Sequence, residues 1–150
     1  MQLRLAVPRR IAVAEDDHEM LTLLVDALSA DGHDVEALAS GRELDEELRF
    51  RRAVCPDAMP DLVVSDVRMP GLGGLEVLER LRAAGEDLPV ILITGFGDDE
   101  TLNAAVRHRA TMVLCKPFDL DHLRLAVFGL CDRQRPASEL DPTSARLDER

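Results

Sequence analysis

Five short apolar runs alternate with longer segments of helical periodicity, and this alternation restricts the fold more than any other feature of the chain. Each helical segment is long enough to cross back to a parallel strand. Short, fully apolar strands are typical of a parallel sheet covered by helices on both faces. The sequence therefore predicts a doubly wound α/β domain with five parallel strands. The predicted strands are 11–14, 35–38, 62–65, 90–93 and 112–115, and the predicted helices are 18–30, 42–52, 75–84, 99–106 and 120–130.

The third predicted strand runs directly into Asp66, and Pro70 and Gly71 then turn the chain out of the sheet. Ligands of open α/β sheets bind at the carboxyl ends of the strands, so Asp66 stands where reactive groups are displayed. On this stretch alone, an aspartate that merely caps the following loop is an equally good interpretation.

The ends of the other strands favour a reactive site. Glu15 and Asp16 follow the first strand, Thr94 follows the fourth, and Lys116 follows the fifth. Parallel strands deliver their last residues to the same edge, so these groups are expected to meet Asp66 there. Three carboxylates that lie close together repel one another, and a hard divalent cation with oxygen ligands, Mg²⁺ above all, would relieve that repulsion. A lysine and a hydroxyl beside them suit phosphoryl oxygens, and one carboxylate can act as a nucleophile on phosphorus.

With these groups the chain resembles the receiver domain of two-component response regulators. The resemblance rests on residues 13–17, 61–74, 91–95 and 116–118, which occur in the order of the family and place it over residues 9–131. It implies the flavodoxin-like strand order 2-1-3-4-5. It also implies that Asp66 is the phosphoacceptor, which receives the phosphoryl group from a phosphohistidine.

The resemblance implies roles for the remaining site residues as well. Asp16 would be a direct Mg²⁺ ligand together with Asp66, Glu15 would act mostly through metal-bound water, and the backbone carbonyl of Arg68 would be a further ligand. Thr94 would be the switch hydroxyl, and Lys116 would pair with the acceptor or its phosphate. The Lys116–Pro117 bond is expected to be cis. Asp17, beside the acidic pair, is interpreted first as a helix cap.

Three departures from the family pattern stand out. Val113 occupies the position, three residues before Lys116, where relatives usually carry an aromatic residue or histidine, so the usual aromatic arm of the switch is in doubt. Gly73 stands where an aspartate often caps the third helix, and glycine is a weaker but tolerable cap. The segment 49–60 is longer than usual, and its Arg49, Arg51 and Arg52 are interpreted as a solvated helix end rather than a partner contact.

Composition restricts the function further. The chain has 150 residues and a net charge of −11, with four Phe and no Trp or Tyr, which argues against binding of nucleic acid or of an anionic membrane surface. No run is long enough to span a membrane, and three cysteines without ligand spacing fit a reducing cytoplasm. The four histidines are interpreted as surface residues. Residues 1–8 are expected to form a leader and 132–150 a mobile tail.

The leading hypothesis is a phospho-accepting signalling module rather than an enzyme. Its expected partners are a sensor histidine kinase or phosphotransfer protein, and a downstream protein target or output domain. The face formed by the fourth helix, fifth strand and fifth helix would carry the change, and could pair two copies of the chain. A Mg²⁺-dependent phosphohydrolase with an aspartyl nucleophile is the enzyme alternative, although Arg68 stands where its second aspartate would be. A degenerate receiver that binds partners without phosphorylation is the third.

Overall fold

The computed structural model describes residues 9–95 and 97–133. It contains one five-stranded sheet in which every neighbouring pair of strands is parallel, in the order β2-β1-β3-β4-β5. This confirms the predicted fold class and strand order. The strands are β1 (Arg10–Ala14), β2 (Asp34–Leu38), β3 (Leu62–Asp66), β4 (Val90–Thr94) and β5 (Met112–Cys115).

Five α-helices connect and follow these strands. They are α1 (His18–Ala30), α2 (Gly41–Val54), α3 (Gly74–Ala83), α4 (Asp99–Arg107) and α5 (Leu120–Arg133), and a short 3-10 helix, Pro56–Ala58, follows α2. The predicted helices agree with these within three residues at each end. The predicted leader, residue 96 and the tail from residue 134 onward lie outside the described residues.

Alternation along each strand divides the core into two clusters, one on each face of the sheet. In β1, Ala12 packs with α2, α3 and α4, whereas its neighbour Val13 packs with α1 and α5. The same alternation separates Val63 from Val64 in β3. Both faces of the central strands are therefore apolar and covered, which explains why these strands read as continuous hydrophobic runs.

Two side chains of this fold have a burial that differs from their surroundings in the sequence. Phe50 lies close to the apolar residues Leu44 and Leu48 in α2, but it is 56% exposed. It lies two residues after Leu48, so the helix rotates it to the opposite side. His33 was expected at the surface, but it is only 6% exposed. Gly32 has a φ of 96° and turns the chain back under α1, where the backbone N–H of His33 donates to Leu28 O.

Helix α4 is held differently at its two ends. Its buried residues are Ala104 and Ala105, in keeping with the weak apolar pattern of its sequence. At its carboxyl end, the guanidinium of Arg82 from α3 donates to the carbonyls of His108 and Arg109, both at 3.0 Å. At its amino end, Asp98 caps the helix by accepting from the Thr101 N–H. In the part of the chain described, no helix is long and apolar enough to cross a membrane.

Candidate functional site

The carboxyl ends of four neighbouring strands bring the predicted site residues together. Glu15 follows β1 and is 2% exposed, while Asp66 ends β3 and is 7% exposed. Thr94 ends β4 and is fully buried, and Lys116 directly follows β5. The register places Asp66 beside Ile93 and Thr94 beside Cys115, so all of these groups lie at one edge of the sheet.

Three carboxylates form the centre of the site. Glu15, Asp16 and Asp66 each offer an oxygen that lies within 4.8 Å of the other two. Glu15 and Asp66 are buried and Asp16 is exposed, so the cluster has a buried side and a side open to solvent. Asp17 is not part of it, because its Oδ1 accepts from the N–H groups of Glu19 and Met20 at the start of α1. The interpretation of Asp17 as a helix cap is confirmed.

Lys116 supplies the opposite charge. Its Nζ donates to Asp66 Oδ2 at 3.0 Å and to Glu15 Oε1 at 3.3 Å. Burial works against the charged ammonium, but the hydrogen bonds and charges of Asp66 and Glu15 outweigh it and raise the pKa of Lys116. Burial and the neighbouring Asp66 raise the pKa of Glu15 to about 7, against the opposing effect of Lys116. One ammonium therefore offsets only part of the repulsion between these carboxylates.

The loop after β3 orients the Asp66 carboxylate from the other side. The backbone N–H of Arg68 donates to Asp66 Oδ1 at 3.2 Å. The α3 amino terminus comes very close to this loop at Gly74, where an added Cβ would lie 2.4 Å from Asp66 O and 2.6 Å from Ser65 Oγ. Glycine is therefore needed here for a close approach of two backbone segments.

Gly73 has a packing role in addition to the weak capping role predicted for it. Glycine has no side chain, so no side-chain cap hydrogen bond forms at this position. An added Cβ at Gly73 would lie 2.2 Å from Val67 O, so the glycine also permits a close backbone contact. Its own N–H donates to Glu76 Oε2 at 2.9 Å, which holds the start of α3. Glu76 was missed at the sequence level, although a glutamate three residues after a cap position is a known signal for this contact.

The segment around β5 agrees with one further expectation, the cis peptide bond. The Lys116–Pro117 bond is cis, and the backbone N–H of Lys116 donates to Thr94 O at 2.7 Å, which joins the ends of β4 and β5. Val113 is half-buried and packs against the cluster beneath α2, α3 and α4. Its side chain is aliphatic, so this position offers no ring that could rotate between outward and inward orientations.

Comparison with known proteins decides the family. Residues 11–128 match the family model of the response regulator receiver domain. The chain belongs to this family. The receiver is similar to the response regulator MprA of Mycolicibacterium vanbaalenii, with 36% identity over 87% of this chain and 53% of the relative. It is also similar to the C4-dicarboxylate transport transcriptional regulatory protein DctD of Pseudomonas aeruginosa, with 40% identity over 76% of this chain and 23% of that protein.

A solved structure supports the same assignment. The receiver domain of the Francisella response regulator 1452 superposes with a TM-score of 0.74 at 25% identity, and the match covers 85% of this chain and 99% of that one. The present chain spans about half the length of the MprA relative and about a quarter of DctD. The comparisons thus identify a signalling domain that corresponds to one part of larger regulators.

Proposed function

We propose that this receiver accepts a phosphoryl group on Asp66 from a phosphohistidine and that Mg²⁺ assists the transfer. The observation that carries the proposal is the position of the Asp66 carboxylate between Lys116 Nζ at 3.0 Å and the Arg68 N–H at 3.2 Å, within a cluster of three carboxylates. Phosphoryl transfer depends mainly on positioning and on neutralisation of charge, and this arrangement supports both.

The donor set fits a magnesium ion. Oxygens of Glu15, Asp16 and Asp66 lie within 4.8 Å of one another, and all three are hard carboxylate ligands of the kind that Mg²⁺ prefers. These residues and the backbone carbonyl of Arg68 would hold the ion. When bound, Mg²⁺ would neutralise negative charge on the carboxylates and on the phosphoryl oxygens.

The protein's own groups have separate tasks in the transfer. An Asp66 carboxylate oxygen forms the new bond to phosphorus as the phosphorus–nitrogen bond to the donor imidazole breaks. Lys116 draws one carboxylate oxygen toward the site and supplies a positive charge for the phosphoryl oxygens. Thr94, buried at the end of β4, would donate its hydroxyl to the phosphorylated carboxylate and so change the β4–α4 segment.

The Arg68 side chain argues against the phosphohydrolase alternative. It is 61% exposed, and its guanidinium lies 3.9 Å from Asp98 at the amino end of α4. An arginine does not give up its proton near neutral pH, so it cannot serve as the acid and base of a hydrolytic cycle. The proposed activity is therefore acceptance and slow loss of one phosphoryl group rather than turnover. The complete set of site groups likewise favours a phosphorylated receiver over a degenerate one.

The proposed partners follow from the family and from the greater length of the relatives. The phosphoryl donor would be a sensor histidine kinase or a phosphotransfer protein, and the phosphorylated form would act on a downstream protein or output domain. The face formed by α4, β5 and α5 would carry the change and could pair two copies of the chain. A cytoplasmic location, without direct contact to nucleic acid or membrane, completes the proposal.

Acetyl phosphate with Mg²⁺ provides a direct test of the acceptor. The wild-type protein is expected to gain one phosphoryl group by intact-mass analysis, and Asp66→Asn is expected to gain none, because the amide is not a nucleophile under these conditions. Peptide mapping after borohydride reduction would place the modification.

Asp17→Asn is the matched control for this experiment. It makes the same chemical change two residues after Glu15, and asparagine is as good a helix cap as aspartate, so α1 and phosphorylation should both be retained. Multiple turnover of phosphate esters by the wild type would instead support the hydrolase. A folded wild type that forms no adduct with acetyl phosphate or with phosphoramidate would support the degenerate receiver.

A further inference from the structure

A groove of about 360 Å³ lies between α2 and α3, away from the phosphoryl site. We call it the α2–α3 groove. Leu48 and Leu81, which are 2% and 3% exposed, form its apolar floor. Its rim carries three guanidinium groups and a single carboxylate, namely Arg49, Arg52, Arg80 and Asp45. The groove is therefore locally positive in a chain whose net charge is −11.

Asp45 holds two of these arginines in place. Its carboxylate, 6% exposed, accepts from Arg80 Nη1 at 2.8 Å and lies 3.2 Å from Arg49 Nε. Each guanidinium has five N–H donors, so most donors of both residues remain free for a ligand. The side chains of Arg80 and Arg49 are 55% and 59% exposed, so those donors are accessible. Because the arginines are already oriented, binding would cost little side-chain entropy.

Arg52 differs from these two arginines, which both pair with Asp45. Among the described residues it makes neither an ion pair nor a hydrogen bond, although it is half-buried at the groove. Its neighbour Arg51 differs, because Arg51 is paired with Glu36 and Glu47 and its side chain is only 18% exposed. The prediction of a solvated helix end is therefore wrong for Arg51. Of the arginines at the end of α2, Arg49 and Arg52 line the groove and Arg51 does not. Arg80 from α3 joins them there.

We propose that the α2–α3 groove binds an acidic segment of a partner protein. Carboxylates of the segment would pair with Arg49, Arg52 and Arg80, and one apolar side chain would cover Leu48 and Leu81. An acidic partner is repelled by most of this chain's surface, so the positive groove determines both where it docks and how it is oriented. Nucleic acid fits less well, because the groove has few cations and its lining has no aromatic ring for stacking.

Titration with a synthetic peptide tests this proposal on the unphosphorylated protein. The probe is the amidated heptapeptide Glu-Glu-Leu-Glu-Glu-Leu-Glu, and its counterpart with glutamine at every glutamate is the neutral control. In two-dimensional amide NMR, the acidic peptide is expected to shift the resonances of Leu48, Arg52, Leu81 and Ala84, and the neutral peptide is expected to leave them unchanged.

Charge reversal at Arg52 is the decisive variant. Arg52→Glu breaks no ion pair or hydrogen bond among the described residues, so it should remain folded, yet it should weaken binding by about fivefold or more since an attraction becomes a repulsion. Arg42→Glu is the matched control on the same helix, ten residues earlier and about 15 Å along the axis. It should change the affinity by less than about twofold.

Three results would overturn the proposal. If Arg42→Glu weakened peptide binding as much as Arg52→Glu does, binding would depend on the overall charge of the chain and not on the groove. Displacement by inorganic phosphate at equal charge concentration would reduce the groove to an anion site, and tighter binding of single-stranded DNA would assign it to another class of partner. Asp66→Asn should bind the peptide normally although it cannot be phosphorylated. A failure of peptide binding is therefore distinguishable from a failure of the proposed phosphorylation.

Discussion

His33 shows how the pKa of one side chain depends on its surroundings. Its ring is 6% exposed, and its Nδ1 has no hydrogen-bond partner among the described residues. Burial lowers the pKa of His33, the neighbouring Arg9 acts in the same direction, and Asp31 opposes them. Asp31 is itself held by Arg124 from α5 at 2.6 Å, so its charge is already shared. The neutral form of the ring is therefore favoured in the folded chain.

This shift predicts a pH dependence of stability. In the unfolded chain His33 has an ordinary pKa near 6.5, so below that pH the unfolded state binds more protons than the folded state. The contribution is fully present above pH 6.5 and is lost as the pH falls. Urea unfolding followed by circular dichroism should show a steeper loss between pH 7 and pH 5 for the wild type than for His33→Gln.

His122→Gln is the control for this experiment. His122 is exposed in α5, so its replacement should leave the wild-type slope unchanged. Equal slopes for wild type and His33→Gln would show that the buried ring does not control acid stability.

At the scale of elements, close backbone contact determines how α3 sits against β3. The helix starts directly over the residue that carries the candidate acceptor, and a Cβ at Gly74 would meet Asp66 O at 2.4 Å. Glycine within a helix normally costs stability because its backbone is freer in the unfolded chain. At Gly74 a larger residue would be less favourable still, because its Cβ would collide with the backbone of Asp66.

Two glycine substitutions should therefore act in opposite directions. Gly74→Ala should destabilise the domain by about 2 kcal/mol, since backbone atoms must move apart, and it should slow phosphorylation by displacing the end of β3. Gly129→Ala in α5 meets nothing within 4 Å and should stabilise the domain by about 1 kcal/mol. Denaturant unfolding measures both. Stabilisation by both substitutions would contradict the close contact.

At the scale of the whole molecule, the site is made by the ends of strands that lie far apart in the sequence. The ammonium that reaches Glu15 belongs to a residue 101 positions later, and it reaches Asp66 across 50 positions. Folding therefore brings three carboxylates together at this edge of the sheet. The net charge of −11 adds a general repulsion that any salt will screen.

Magnesium should accordingly stabilise the folded chain beyond the effect of ionic strength. At ten times its dissociation constant, Mg²⁺ is expected to add about 1.4 kcal/mol, because it binds the folded state and not the unfolded one. Thermal unfolding with MgCl₂, compared with NaCl at the same ionic strength, measures this difference. Asp16→Asn, a change at an exposed carboxylate, should fold normally and lose most of the gain. An equal effect of the two salts would rule out a specific site.

The sequence by itself determined the order and type of the elements and the groups at their ends. Apolar periodicity along β3 and helical spacing along α1 are local properties, and so is the position of Asp66 directly after an apolar run. The strand order and the cis Lys116–Pro117 bond came from resemblance to the family, and the structure confirms both.

Tertiary structure alone decided the properties that depend on contacts between distant segments. The burial of His33, the close contact at Gly74 and the placement of Arg52 and Arg80 at one groove all depend on packing that no local pattern records. Periodicity shows which side of a helix is apolar, but not which polar neighbours another helix will bring to its edge. For this reason the strand-end site could be predicted from the chain, whereas the α2–α3 groove became visible only in the folded molecule.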